Sequence, residues 1–261
     1  MAKPRSMRER RGWAFTVGVG LLKPLLLLFT RPEWVDGTKI PAEGGAVIAA
    51  NHVSHVDPAT FAHFIYDHGR LPRFLAKAEL FDVPVAGHII AAMGQIPVRR
   101  MTADASMAFS SAVEAVQQGK LVIVYPEGTI TRQPELWPMV GKTGAARIAL
   151  TAGVPVVPVA QWGAQELLWP YAKKPRLVPP KRVHAKAGDP VDLDDLRGLP
   201  VTPEVLRLAT DRIMDAITIL LEQLRGEDAP TERFDPRQQG VRPIGNPHPH
   251  ASRTSLRRKR R

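Results

Sequence analysis

The 261-residue sequence contains no cysteine. Disulfide bonds, zinc sites built from thiolates and cysteine nucleophiles are therefore excluded, and the absence is typical of a reducing compartment. The sequence also lacks a continuous run of about 20 apolar residues, which a clean membrane-spanning helix requires. Its N-terminal apolar segment, residues 13–30, is interrupted by Lys23 and Pro24. We expect a helical pair at a membrane interface here; a spanning helix, a buried core helix and a secretory signal are the alternatives.

Positive charge is concentrated at the two ends of the chain. The formal net charge is +11, of which residues 1–12 contribute +4 and residues 225–261 contribute +6, leaving +1 for the region between. The central region is thus nearly neutral, and the overall charge does not indicate a specific nucleic-acid-binding domain. We expect the basic ends to contact anionic membrane lipids instead.

Short apolar runs alternate with helical patterns in the central region. Runs bounded by glycine and proline predict strands at 46–50, 73–76, 96–98, 121–125, 154–160 and 182–187. Helices are predicted at 58–68, 104–118 and 143–152, and a last amphipathic helix from residue 202. Its predicted apolar stripe includes Val205, Leu208 and Ile213. This order predicts an α/β fold with a mixed central sheet flanked by helices.

The sequence is expected to divide into three regions. Residues 1–31 form a basic and apolar membrane-interface segment, and residues 32–225 form one catalytic domain. Residues 226–261 are rich in proline, glycine and arginine with little apolar patterning, which predicts a disordered basic tail.

A first candidate for catalysis is the pair His52 and Asp57, which follows the predicted strand 46–50. Five positions apart, the two side chains cannot share one face of a helix, so they meet only if the segment turns. Asp57 followed by Pro58 is typical of a helix start, which supplies such a turn. A carboxylate accepting the imidazole N–H would make His52 a general base. A helix cap beside an incidental histidine explains the segment nearly as well.

His52, His55 and Asp57 are also possible metal ligands. Their His-x-x-His-x-Asp spacing differs from the common zinc signatures, and no further His-rich segment follows. We therefore expect neither a metal nor a bound cofactor, and keep a metallohydrolase as a minor alternative. A noncatalytic membrane-binding or polyanion-binding protein that uses the basic ends is another.

Three further segments contain candidate binding residues. Arg100 follows a glycine turn and a short strand, and its planar guanidinium suits a phosphate. Glu127, Gly128 and Thr129 form a turn after a buried strand, where ligands of α/β folds gather. Lys142 lies near a predicted helix N-terminus and can hold an anion, although the glycine pattern of a nucleotide phosphate loop is incomplete.

The order and spacing of these segments resemble the glycerolipid acyltransferase family, which includes the 1-acylglycerol-3-phosphate (lysophosphatidate) acyltransferases. Four sequence boxes of that family occur here in the same order between residues 35 and 159. Together they are far more specific than any one of them. They are matched by Asn51, His52 and Asp57; by Gly94, Ile96 and Arg100; by residues 125–129; and by residues 154–159.

The resemblance implies acyl transfer without a covalent enzyme intermediate. His52, oriented by Asp57, would deprotonate an acceptor hydroxyl, which attacks the thioester of acyl-CoA or acyl-carrier protein. The implied acceptor is 1-acylglycerol-3-phosphate, giving phosphatidate in phospholipid biosynthesis at the cytoplasmic face of the cell membrane. The enzyme would be peripheral or N-terminally anchored. The acceptor phosphate would be held by Arg100, Lys142 and Arg132, in a pocket shaped by Glu127, Gly128 and Thr129.

Two departures from the family pattern concern the acceptor. Ile130 and Thr131 intervene before Arg132, where the family often has arginine directly after Gly-Thr. Arg99 stands where an acidic residue is frequent. Both changes spare the predicted catalytic pair, so an acyltransferase acting on a different lipid or glycan hydroxyl is the main alternative.

Overall fold

The fold is a mixed α/β arrangement, given by a computed structural model that describes residues 5–98 and 104–241. Within these residues, seven strands form a single sheet. The strands are β1 (Thr30–Val35), β2 (Ala46–Ala50), β3 (Arg73–Lys77), β4 (Ile96–Val98), β5 (Leu121–Val124), β6 (Val156–Trp162) and β7 (Lys181–Ala187). The helices are α1 (Trp13–Phe29), α2 (Asp57–Asp67), α3 (Ala86–Ala92), α4 (Asp104–Gln117), α5 (Gly144–Ala152), α6 (Ala164–Leu167) and α7 (Pro203–Arg225).

The strand order decides which loops meet. The sheet runs β1-β7-β6-β2-β5-β3-β4. Strands β2 to β6 are parallel to one another, β7 is antiparallel to β6, and β1 is parallel to β7. The carboxyl ends of β2, β5 and β6 therefore lie at the same end of the sheet as the beginnings of β7 and β1. We call this the carboxyl end of the sheet.

Both faces of the sheet are covered, which explains why the central strands are apolar throughout. In β5, Leu121 and Ile123 face the cluster that contains Phe61 and Phe64 of α2. The alternate residues of β5 face the opposite cluster, to which α4, α5 and α7 contribute. At about 25 cal/mol for each Å² of apolar surface buried, these two clusters are the main source of the fold's stability.

The predicted mixed α/β class is confirmed, and all six predicted strands are present with shifts of at most two residues. Strand β1 was not predicted, because Arg31, Pro32 and Glu33 are untypical of a strand interior. Its position at the sheet edge tolerates both charge and proline. The predicted stripe on α7 was wrong at Leu208, which is 46% exposed, while Leu206 is buried instead.

The N-terminal apolar segment forms one continuous helix, so the expected helical pair is wrong. Helix α1 continues through Pro24, and Lys23 pairs with Asp67 of α2 at 2.6 Å. Trp34 Nε1 donates to the same carboxylate at 3.0 Å, and burying these partners together fixes α1 on the domain. Among the described residues, no helix is both long and apolar enough to cross a membrane.

Arginines that precede α1 form hydrogen bonds and ion pairs with groups of the domain itself. Arg5 donates to the carbonyls of Ile40 and Thr38, and Arg8 pairs with Glu43. Glu9 joins Arg70 and Arg73 at 2.8 and 2.9 Å. This basic segment is therefore bound to the domain, and part of its charge is already matched there.

Residues after α7 return to the domain before the described region ends. The Val140 N–H donates to the Phe234 carbonyl at 3.1 Å, and the Ala229 N–H donates to Glu222. The predicted domain boundaries stay a prediction, but this part of the expected tail packs on the domain. The arginine run at 257–261 lies outside the described residues.

Candidate active site

His52 and Asp57 meet in the turn that joins β2 to α2. Helix α2 begins at Asp57, with Pro58 in its first turn. Asp57 Oδ2 lies 2.7 Å from His52 Nδ1 and also accepts the N–H groups of Val53 and Ser54, at 2.6 and 2.8 Å. One oxygen thus accepts all three bonds. The carboxylate folds back over the turn, because its N–H donors precede the helix.

This geometry determines which imidazole nitrogen can act as a base. Carboxylate oxygens only accept, so the proton on the neutral ring is assigned to Nδ1 and the Nε2 lone pair is left for the substrate. The Asp57 side chain is fully buried, while the His52 side chain keeps 15% of its surface exposed. A buried carboxylate interacts strongly with the imidazolium that forms when Nε2 takes a proton.

Aromatic and polar contacts hold the rest of this turn. The Tyr125 ring stacks on the His52 ring with centroids 4.2 Å apart and an interplanar angle of 13°. Ser54 Oγ donates to the Leu168 carbonyl at 2.6 Å. The chain after β6 therefore packs directly on the turn that contains His52 and Asp57.

Glu127 lies behind His52. It is 3% exposed, Oε1 accepts the His52 N–H at 3.2 Å, and Oε2 accepts the Met139 N–H at 3.0 Å. Burial raises its pKa to about 8, against the lowering effect of these two hydrogen bonds. The Thr131 N–H donates to the His52 carbonyl at 2.7 Å. The turn after β5 thus holds the backbone of His52 on both sides.

The other predicted binding residues lie at varying distances from this centre. Lys142 lies beside the turn, because its Nζ is 2.8 Å from where a Cβ on Gly128 would be placed. Gly128 has a φ of +69°, which other residues rarely adopt. Thr129 is partly exposed. Arg132 is buried, and its backbone N–H donates to the Met139 sulfur at 3.1 Å. Arg100 lies outside the described residues.

A polar pair connects the end of β2 to β6, and of its two members Asn51 was identified from the sequence but Gln161 was missed. Asn51 Nδ2 donates to the Gln161 carbonyl at 3.0 Å, and its Oδ1 accepts the Gln161 N–H at 2.8 Å. Gln161 Nε2 donates to the Asn51 carbonyl at 2.7 Å. These bonds hold Asn51 in place, and Asn51 directly precedes His52. The available signal was a glutamine directly after the apolar run 156–160.

The geometry gives less support to a metal site at His52, His55 and Asp57 than to a base paired with a carboxylate. Asp57 Oδ2 already accepts two backbone N–H groups besides facing His52. The His55 ring packs edge-on against the Tyr171 ring, with the ring centroids 5.8 Å apart. No group of three or more His, Asp or Glu side chains in the described part of the chain has the arrangement of a metal site.

Comparison with known proteins now decides the family, since a family model described as Acyltransferase matches residues 32–162. The chain belongs to the acyltransferase family. A chloroplastic 1-acyl-sn-glycerol-3-phosphate acyltransferase of Brassica napus is 32% identical over 123 residues, covering 47% of this chain and 34% of the relative. A lyso-ornithine lipid O-acyltransferase of Pseudomonas aeruginosa is 34% identical over 113 residues, covering 42% and 40%.

The family likeness extends to a solved structure. The crystal structure of the 1-acyl-sn-glycerophosphate (LPA) acyltransferase PlsC from Thermotoga maritima is 25% identical, with a TM-score of 0.56 over 86% of each chain. The resemblance predicted from the four sequence boxes is thereby confirmed. The matched segment spans about a third of the length of the Brassica relative.

Proposed function

We propose that this acyltransferase moves a fatty acyl group from acyl-CoA or acyl-carrier protein to the hydroxyl of a glycerol-phosphate lipid. The preferred acceptor is 1-acylglycerol-3-phosphate, which becomes phosphatidate. The observation that carries the proposal is the 2.7 Å contact of His52 Nδ1 with the buried Asp57 carboxylate. It provides a general base without a side-chain nucleophile, as direct attack by a substrate hydroxyl requires.

The proposed reaction has two proton transfers and one acyl transfer. His52 Nε2 removes the proton of the acceptor hydroxyl as that oxygen attacks the thioester carbonyl. The tetrahedral intermediate then expels the thiolate, the ester bond remains, and the imidazolium returns the proton to the thiolate sulfur. Asp57 stabilises the imidazolium throughout, while Glu127 keeps the backbone of His52 in place.

The acceptor is proposed from the charge near the centre. Lys142 beside Gly128 places a cation close to the catalytic turn, and a phosphate is the acceptor group that such a cation binds most strongly. A relative named as a 1-acyl-sn-glycerol-3-phosphate acyltransferase and one named as a lyso-ornithine lipid O-acyltransferase each match part of this chain. An acyltransferase for another lipid hydroxyl is therefore the second candidate.

Membrane attachment through α1 is part of the proposal, at the cytoplasmic face of the cell membrane. Helix α1 exposes several large apolar side chains to solvent, and a lipid acceptor is available only at a bilayer. An interfacial helix of this kind binds in proportion to its buried apolar area. The exposed residues are Trp13, Val17, Leu21, Leu22, Leu25, Leu27 and Leu28.

The test is release of free thiol from acyl-CoA in the presence of lysophosphatidate. The chain has no cysteine, so a thiol reagent detects only the released CoA. We expect the wild type to release thiol only when the acceptor is present, and His52→Ala to lose about 100- to 10,000-fold in rate.

His88→Ala is the matched control, because His88 is an exposed histidine of α3. It should keep the wild-type rate. Equal thiol release by wild type and His52→Ala would refute the proposed mechanism. Mass detection of the product across several lipid acceptors separates the first candidate from the second.

A further inference from the structure

Residues 172–182, which we call the basic loop, follow α6 and include the first two residues of β7, and most of them are exposed. The loop contains Lys173, Lys174, Arg176, Lys181 and Arg182, and the sequence has no acidic residue between positions 167 and 188. Only Arg182 forms an ion pair with a described residue, at 3.7 Å from Glu33. The loop therefore carries a net positive charge that the described part of the domain does not neutralise.

Apolar side chains stand between these cations. Val178 is 81% exposed, and the neighbouring Leu177 is also exposed. An exposed apolar tip flanked by lysine and arginine suits a bilayer surface, in which an apolar interior lies beneath a layer of charged headgroups. The apolar tip enters the boundary of the acyl chains, and the cations lie among the lipid phosphates.

The sheet places this loop beside the end of α1. Thr30, which follows α1 directly, is the register partner of Lys181 in the parallel β1 and β7 pair. The exposed Leu27 and Leu28 in the last turn of α1 are therefore close to the last residues of the basic loop. The end of α1 and the end of the basic loop therefore lie side by side at the carboxyl end of the sheet.

The catalytic turn lies at the same end. His52 follows the carboxyl end of β2, and the chain leading into the basic loop contacts that turn through Leu168 and Tyr171. A surface formed by the loop and the end of α1 thus lies at the end of the sheet where the acceptor must arrive.

We propose that the basic loop is a second membrane contact, which binds anionic lipid headgroups next to the end of α1 and orients the catalytic end of the sheet toward the bilayer. This inference rests on the proposed function in one respect, because a lipid acceptor gives the orientation its purpose. The occupant is a bilayer rather than an acidic protein, because apolar residues of α1 are exposed next to the loop.

The test is co-sedimentation of the full chain with vesicles of phosphatidylcholine that contain phosphatidylglycerol. The double variant Lys173→Gln with Lys174→Gln should bind about 30-fold more weakly than wild type, because each cation near an anionic surface contributes about fivefold, or about 1 kcal/mol. Val178→Ser should also weaken binding, and its loss should persist in high salt, where the effect of the lysines is screened.

A matched control removes two positive charges elsewhere. Lys120 precedes β5 at the opposite end of the sheet, and Arg207 is exposed on α7. The double variant Lys120→Gln with Arg207→Gln should keep vesicle binding within about twofold of wild type. Equal losses in both double variants, or no loss in the loop variants, would overturn the inference. The second result is also expected if the loop serves an acidic carrier protein.

Activity and binding separate this inference from the proposed function. The loop variants should keep wild-type thiol release with a short-chain acceptor dissolved as monomers, which also shows that they are folded. If the wild type binds vesicles through the loop but releases no thiol with any acceptor, the proposed function fails and the surface assignment stands. If thiol is released but the loop variants bind vesicles as wild type does, only the surface assignment fails.

Discussion

Replacing Glu127 by glutamine should change how protein stability depends on pH. Both carboxyl oxygens of Glu127 accept a backbone N–H, from His52 and from Met139. Glutamine has one oxygen, so its amide nitrogen would face one of these N–H groups, donor to donor. Leaving a buried donor unsatisfied costs about 1 to 3 kcal/mol. At about pH 5, where the native side chain is neutral, the variant should be less stable by about this amount.

The difference in stability between wild type and Glu127→Gln should change sign at high pH. Burial raises the pKa of Glu127 from 4.5 to about 8. A pKa that is raised in the folded state stabilises the protein fully below pH 4.5, and this stabilisation is lost as pH rises through about 8. Each pKa unit corresponds to about 1.4 kcal/mol, so wild type should lose on the order of 5 kcal/mol across this range. Glutamine does not titrate, so the variant should be the more stable protein at about pH 9.

Urea unfolding followed by tryptophan fluorescence at several pH values measures this effect. The chain has five tryptophans, which supply the signal. Glu135→Gln is the control, because Glu135 is an exposed glutamate in the same loop region, and it should show the pH dependence of wild type. Parallel curves for wild type and Glu127→Gln would refute the burial argument.

Substitutions at three further residues test the proposed catalytic centre. Asp57→Asn loses the charge that stabilises the imidazolium, and its amide can donate to Nδ1 and leave the proton on Nε2. We therefore expect kcat to fall by up to about 10,000-fold with little change in KM; an unchanged kcat would contradict the role of Asp57. Tyr125→Phe keeps the ring that stacks on His52 and should keep kcat, whereas Tyr125→Leu should lower it, and equal rates would show that stacking is irrelevant. Lys142→Met should raise the KM for lysophosphatidate about tenfold without changing the KM for acyl-CoA; equal changes in both values would argue against an acceptor contact.

The contact between His52 and Asp57 could be predicted because its geometry is local. His52, Asp57 and Pro58 stand in one short segment, and a helix start after a strand allows little choice of direction. The turn at 125–129 was predicted for the same reason, since an apolar strand followed by Pro-Glu-Gly must end there. The role of Glu127 could not be predicted, because its partners are the backbone of another strand end and of Met139.

The sequence by itself determined six of the seven described strands, the acyltransferase resemblance and the contact of His52 with Asp57, because local patterns of apolar residues, glycine and proline specify them. Only the tertiary structure decided which distant residues contact one another, because those contacts depend on strand order. Asn51 and Gln161 are 110 positions apart, and they meet because β2 and β6 are neighbours. The sequence gives the arginines before α1 no visible partners, whereas the fold places the Ile40 carbonyl beside Arg5 and the Glu43 carboxylate beside Arg8. The basic loop lies beside α1 because β1 pairs with β7, a long-range contact that no local pattern predicts.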